Sequence, residues 1–265
     1  MKNKLFMLML VLVIVVLAAC GTKDKEEKTG SEGTNTEDKK VLVMGTSADY
    51  PPFEYVDTAV SEDIIGFDVD LAKLIGEKLG YEIKIENIDF NSLIPSIQAG
   101  KVDFVLAGMS PTPERDKVVD FSIAYNETVQ MVVTKKDSGI QTVEDLAGKT
   151  VGVQVSSIQE DLANEVAKTV DMTIESRNLI PEVFQDLMTK RFDAAIIEDI
   201  VAENYVKRND DLAFFPVAID DADYKAAVFP EGSELKAQFD EAIQELIDNG
   251  KIEELRQKWF VVEAE

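Results

Sequence analysis

The sequence predicts an α/β protein of two similar lobes joined by two chain crossings, and three observations carry that prediction. Strand-like and helix-like patterns alternate in the order βαβαβ over residues 41–107, and an equivalent order returns over residues 150–198. The segment Gly100, Lys101, Val102, Asp103, Phe104, Val105 is matched by Lys190, Arg191, Phe192, Asp193, Ala194, Ala195, so a helix stop feeds a buried strand at the same place in each run. Residues 233–249 and 251–260 read as helices that belong to neither run. Placing them back on the first lobe makes the chain cross twice, near residues 126–131 and near 220–224, which forms a hinge beside a cleft.

Lys2 and Lys4 precede residues 5–19, a run without a polar side chain that ends Leu17, Ala18, Ala19, Cys20. This reads as a signal peptide, because the run is shorter than the ~20 residues a spanning helix needs and closes on small residues. An uncleaved membrane anchor is the competing reading. The ending resembles the bacterial lipobox, which implies that the Cys20 thiol is diacylated and heads the mature protein. Residues 22–40 hold five lysines and six acids with no apolar periodicity, so they read as a flexible tether.

A strand at 41–46 opens the first lobe. A helix follows with Phe67, Leu71, Leu74, Ile75 and Leu79 at helical spacing and a stop at Gly80. A strand at 81–88, a helix at 91–99 and a strand at 102–107 complete that run. The second run has strands at 150–155, 172–176 and 193–198 with helices at 157–168 and 181–190 between them. The expected organisation is a signal peptide at 1–19, a tether at 20–40, a first lobe at 41–126 plus 224–265, and a second lobe at 127–223.

Composition narrows the function. Of 265 residues, 27 are Lys or Arg and 51 are Asp or Glu, a net charge of −24 that argues against a nucleic-acid partner. Loss of the leader takes Lys2 and Lys4 and no acid, leaving 25 basic against 51 acidic residues, or −26. Histidine is absent, which removes imidazole-based triads and most zinc sites. The single cysteine cannot form an internal disulfide. No cofactor or metal is expected.

Several stretches between 41 and 261 have a recognisable order: Gly45, Thr46, Ser47, Ala48, Asp49, Tyr50, Pro51, Pro52, Phe53, Glu54; then Gly66, Phe67, Asp68, Val69, Asp70, Leu71, Ala72; then Asp89, Phe90, Asn91, Ser92, Leu93, Ile94, Pro95; then residues 107–115; and finally Asn249, Gly250 with Lys258, Trp259, Phe260. Together they resemble the extracellular solute-binding proteins of polar amino-acid ABC importers, family 3. The resemblance implies a periplasmic-binding-protein-like clamshell of type II, a monomer on the extracellular face of the membrane, and permease subunits as partners.

An α-amino acid buried in a cleft leaves a carboxylate and an ammonium, and each needs a partner. For the carboxylate, the resemblance implies the fork of Arg115 and the hydroxyl of Ser110, with backbone amides of Ser156, Ser157 and Ile158 at a helix start. Ser156 or Ser157 as a plain N-cap, and Arg115 as a surface ion pair among Glu114, Asp116 and Asp120, are the alternatives. For the ammonium it implies Glu198 and the carbonyl of Gly108. Acids opening a helix at Glu198 and Asp199 are the alternative. Tyr50 and Phe90 match two aromatic positions that sandwich the ligand side chain; core packing is the alternative for each. Tyr50 stands in a loop before two prolines, a poor place for core.

This sequence departs from the family at Ser47, where many members have aspartate, at Glu198, where aspartate is usual, at Ser156 and Ile158, and at Ala226, near a common glycine. Asp49 either substitutes for the missing aspartate or is simply solvated. Asp57, Glu62 and Asp63 are expected near the mouth of the cleft. The ligand expected is a polar amino acid with a cationic or amide side chain, arginine slightly ahead of glutamine. A secreted dehydratase-like enzyme acting on a cyclic carboxylic acid, with Glu198 as its acid, and a sensory module are the rival readings.

Overall fold

The computed structural model describes residues 40–217 and 223–261. The leader, Cys20, the tether and part of the second expected crossing lie outside the described residues.

Two five-stranded sheets form two lobes. The first has the order Tyr81–Asn87, Lys40–Thr46, Phe104–Val105, Val228–Pro230, Val119–Phe121, and the second the order Thr173–Arg177, Thr150–Gln154, Ala194–Glu198, Gln130–Lys135, Leu212–Pro216. In each, the first three strands are parallel and the fourth is antiparallel to the third. That fourth strand enters from the opposite side of the molecule. Gln130–Lys135 follows Asn126–Thr128, Val228–Pro230 follows Asp223–Lys225, and these two short strands pair antiparallel as the crossings between the lobes.

The local repeat acquires a physical basis here. The Asp103 carboxylate accepts the Val43 amide at 2.7 Å, and the Asp193 carboxylate accepts the Thr150 amide at 2.9 Å, so each aspartate ties its third strand to its first. The turn ahead of each is left-handed, with φ 66 at Gly100 and φ 61 at Lys190.

In helix Phe67–Leu79, residues Phe67, Leu71, Ala72 and Ile75 are buried and Gly80 closes the helix at φ 79. The C-terminal helices Glu234–Asp248 and Lys251–Trp259 pack on it. Lys78 pairs with Glu245, while Lys258 and the Trp259 indole both donate to Asp70, at 2.6 and 2.9 Å. The Phe67 and Phe260 rings stack at 4.7 Å.

The structure corrects several elements. The strand expected at 102–107 is Phe104–Val105 alone, because past it the chain turns through Gly108 at φ 54 towards the cleft. The helix expected at 91–99 begins as a 3₁₀ turn, Phe90–Ser92, before Leu93–Gln98. Three strands of two or three residues, Asp49–Tyr50, Glu54–Val56 and Ile64–Ile65, build a small antiparallel sheet that periodicity could not reveal. Asp199–Arg208 is a helix, and Glu198 is its N-cap residue.

Candidate functional site

The parallel strands of both lobes aim their C-terminal ends at one cleft, the place where open α/β sheets bind ligands. Ser47, Asp49, Tyr50, Phe90, Gly108, Ser110 and Arg115 line it from the first lobe, and Ser157, Ile158 and Glu198 from the second. Of the residues singled out for the ligand in the sequence, these ten meet around one space, and Ser156 is not in its lining. Asp57, Glu62 and Asp63 do not line it; they belong to the turn between Glu54–Val56 and Ile64–Ile65.

Arg115 sits where the lobes touch. Its Nη1 donates to the Ser110 carbonyl at 2.6 Å and its Nη2 to the Ser156 carbonyl at 2.8 Å, so one guanidinium spans both lobes. Its charge lies 5.6 Å from the centre of the Phe90 ring. Among the described residues it forms no ion pair, so the surface-pair alternative fails. Burial pulls its pKa below the usual guanidinium range, the cost of taking that charge out of water.

Ser156 holds φ 60, a left-handed conformation unusual for a residue with a side chain. This aims its carbonyl at Arg115, and its amide donates to Glu160 at 2.7 Å. The Ser156 amide is therefore engaged within its own lobe, as is the Ser157 amide, which donates to the Gln154 carbonyl at 3.3 Å, both contrary to the expectation for them. Ser157 is the N-cap of helix Ile158–Val166, its hydroxyl accepting the Glu160 amide at 3.1 Å. The first-turn amides of Ile158 and Gln159 have no helical carbonyl to donate to and remain suited to an anion.

Asp49 is buried, so the solvated reading of it fails. It accepts the Ser47 hydroxyl at 2.7 Å, the Ile180 amide at 2.8 Å and the Gln154 side chain at 3.2 Å. The last two partners belong to the second lobe, which makes Asp49 a second bridge across the cleft. Tyr50 is likewise core as well as cleft wall, correcting the view that its loop is a poor place for core. It stacks on Phe53 at 5.8 Å, and a β-carbon added at Gly108 would stand 3.1 Å from its ring. Phe90 is partly buried against Leu93 and its neighbours while facing the cleft.

Glu198 ends its strand in the cleft and is fully buried. One carboxylate oxygen accepts the Lys225 ammonium, which also donates to the Ser110 hydroxyl at 2.9 Å. The other, Oε2, is buried and accepts no hydrogen bond from the described residues. Glu198 thus both opens a helix and lines the cleft.

Lys225, Glu54, Gln154 and Gln159 also line the cleft and were missed in the sequence. Lys225 immediately precedes the apolar run Ala226, Ala227, Val228, Phe229, which was the one available signal of its burial. Glu54 is buried, neither of its carboxyl oxygens has a hydrogen-bond partner among the described residues, and burial beside Asp68 pushes its pKa well up. Burial raises Asp68 to about 6, although the Gly108 amide and the Tyr125 hydroxyl, each at 2.8 Å, favour its ionised form. The space these side chains leave is ≈ 10 Å³, room for about one water.

Taken together, the cleft sets the Arg115 guanidinium of the first lobe and the Glu198 carboxylate of the second about Ser110, with Tyr50 and Phe90 also in its wall. Residues 42–262 match the family of bacterial extracellular solute-binding proteins, family 3. The arginine-binding extracellular protein ArtP of Bacillus subtilis is 48% identical over 265 residues, covering 99% of this chain and 100% of that protein. Among solved structures, an ancestral arginine-binding protein bound to arginine is 37% identical with a TM-score of 0.78, covering 83% of this chain and 98% of that one. An ancestral arginine-binding protein bound to glutamine is 36% identical with a TM-score of 0.76, covering 83% and 97%. The chain belongs to the bacterial extracellular solute-binding proteins, family 3.

Proposed function

We propose that this protein is the substrate-binding component of an ABC importer and captures arginine, or a similar polar amino acid such as glutamine, between its lobes for delivery to a membrane permease. It is a binding protein, not an enzyme. The observation that carries the ligand class is the placement of Arg115 and Glu198 about Ser110: the Arg115 guanidinium donates to the Ser110 carbonyl, and Lys225 links the Ser110 hydroxyl to Glu198, whose second carboxylate oxygen accepts no hydrogen bond from the described residues. An α-carboxylate would take the free N–H groups of Arg115 and the first-turn amides of Ile158 and Gln159. An α-ammonium would take Glu198 Oε2, with the Gly108 carbonyl. Tyr50 and Phe90 would hold the side chain between them. The names of the relatives point to arginine first and glutamine second.

In this reading residues 41–126 plus 224–265 move as one lobe and 127–223 as the other. Cys20 carries the lipid that holds a monomer at the extracellular face, with residues 20–40 as tether. A thermal-shift screen of the twenty amino acids tests the ligand class, and small-angle scattering tests closure. Arginine should give the largest stabilisation and a smaller radius. Stabilisation by none of the twenty, or an unchanged radius at saturation, would overturn the reading.

A further inference from the structure

We propose that Lys225 is a specificity-determining residue: its side chain is a tethered cation that holds the ligand's seat at Glu198 and Ser110 and must move to a second seat at Glu54 when an amino acid binds. The inference rests on the assignment of Glu198 and Ser110 to the ligand. The Lys225 ammonium bonds Glu198 from the second lobe and the Ser110 hydroxyl from the first, and its side chain is 0% exposed. Its ammonium occupies the Glu198 carboxylate and the Ser110 hydroxyl, the groups assigned to the ligand, so an amino acid seated there displaces it.

Moving a buried ammonium is prohibitive unless another acceptor waits for it. Glu54 meets that need. It lines the same cleft, lies near enough for the Lys225 charge to act on it, and has two buried oxygens without a hydrogen-bond partner among the described residues. When a ligand ammonium takes Glu198, Lys225 exchanges one carboxyl group for another, and its charge favours the ionised form of Glu54. The cleft thus discriminates against solutes lacking an ammonium able to replace the lysine's.

Calorimetry with L-arginine on the wild type, Lys225→Met, Glu54→Gln, the double variant and Glu198→Gln tests this. If Lys225 holds the seat nine-tenths of the time, its removal tightens arginine binding about tenfold. Glu54→Gln should weaken binding when Lys225 is present and leave it unchanged in the Lys225→Met background. Lys225→Met binding arginine no more tightly than wild type, while Glu198→Gln binds it weakly, overturns the inference alone. Glu198→Gln binding like wild type overturns the ligand assignment beneath it. Should Lys225→Met fail to fold, a crystal structure of the wild type with arginine decides. Lys225 Nζ beyond hydrogen-bond distance of Glu198 and within it of Glu54 supports the exchange, and Nζ still on Glu198 and Ser110 refutes it.

Discussion

Replacing Arg115 by alanine should weaken arginine binding by roughly 30-fold to several thousand-fold. A guanidinium has five N–H donors. Two are committed to the Ser110 and Ser156 carbonyls at 2.6 and 2.8 Å, so the remainder are available to a ligand carboxylate. Truncation strands that carboxylate in a buried site, and losing one partner of such a pair costs about 2–5 kcal/mol, which at 1.4 kcal/mol per decade gives the range above. It also removes one tie between the lobes. Arg115→Lys restores a positive charge but has no planar fork, so it should recover only part of the loss. Isothermal titration with L-arginine measures the affinities, and thermal melting confirms that the variants are folded. A loss below about fivefold for alanine, or full recovery with lysine, would refute the role given to Arg115.

Three further outcomes follow from individual residues. Ser156→Gly should raise stability by up to about 1 kcal/mol, since a left-handed residue with a β-carbon costs roughly 1–2 kcal/mol and glycine returns part of that as chain entropy; a melting point unchanged or lowered would count against strain at φ 60. Because burial raises Asp68 to about 6, above its unfolded value of 3.8, the native state keeps a proton that the unfolded chain releases, and stability from this group is present below about pH 4 and lost as pH rises through 6, by up to about 3 kcal/mol. Denaturant titrations at pH 4.5 and 7 should show that fall in the wild type and a smaller one in Asp68→Asn; equal pH dependence would contradict it. Cys20→Ala should release the protein or its precursor from the membrane fraction, and normal processing with retained anchoring would refute lipidation.

Much of the fold was legible because its elements carry strong local signals. Gly80 ends a helix whose apolar face repeats at 3.6 residues, and Asp103 and Asp193 mark equivalent strand entries in two runs. What was missed is short or non-local. The strands Asp49–Tyr50 and Ile64–Ile65 are too brief for any period, and Val228–Pro230 contains a proline that argues against a strand from sequence alone. The site residues themselves came from family resemblance, and their partners did not. Asp49 meets Ile180, 131 positions away, and Lys225 meets Ser110, 115 away; no window along the chain contains both. Departures from the family pattern proved informative, since Ser156 keeps the left-handed conformation at a position where glycine is usual.

A calorimetric titration of the mature protein with L-arginine, L-glutamine, L-glutamate and L-leucine at two salt concentrations tests the central claim most directly. Arg115 and Glu198 together predict one site per chain for arginine or glutamine, with arginine weakened by salt and glutamine nearly independent of it. Tighter binding of glutamate or leucine than of either would contradict the account.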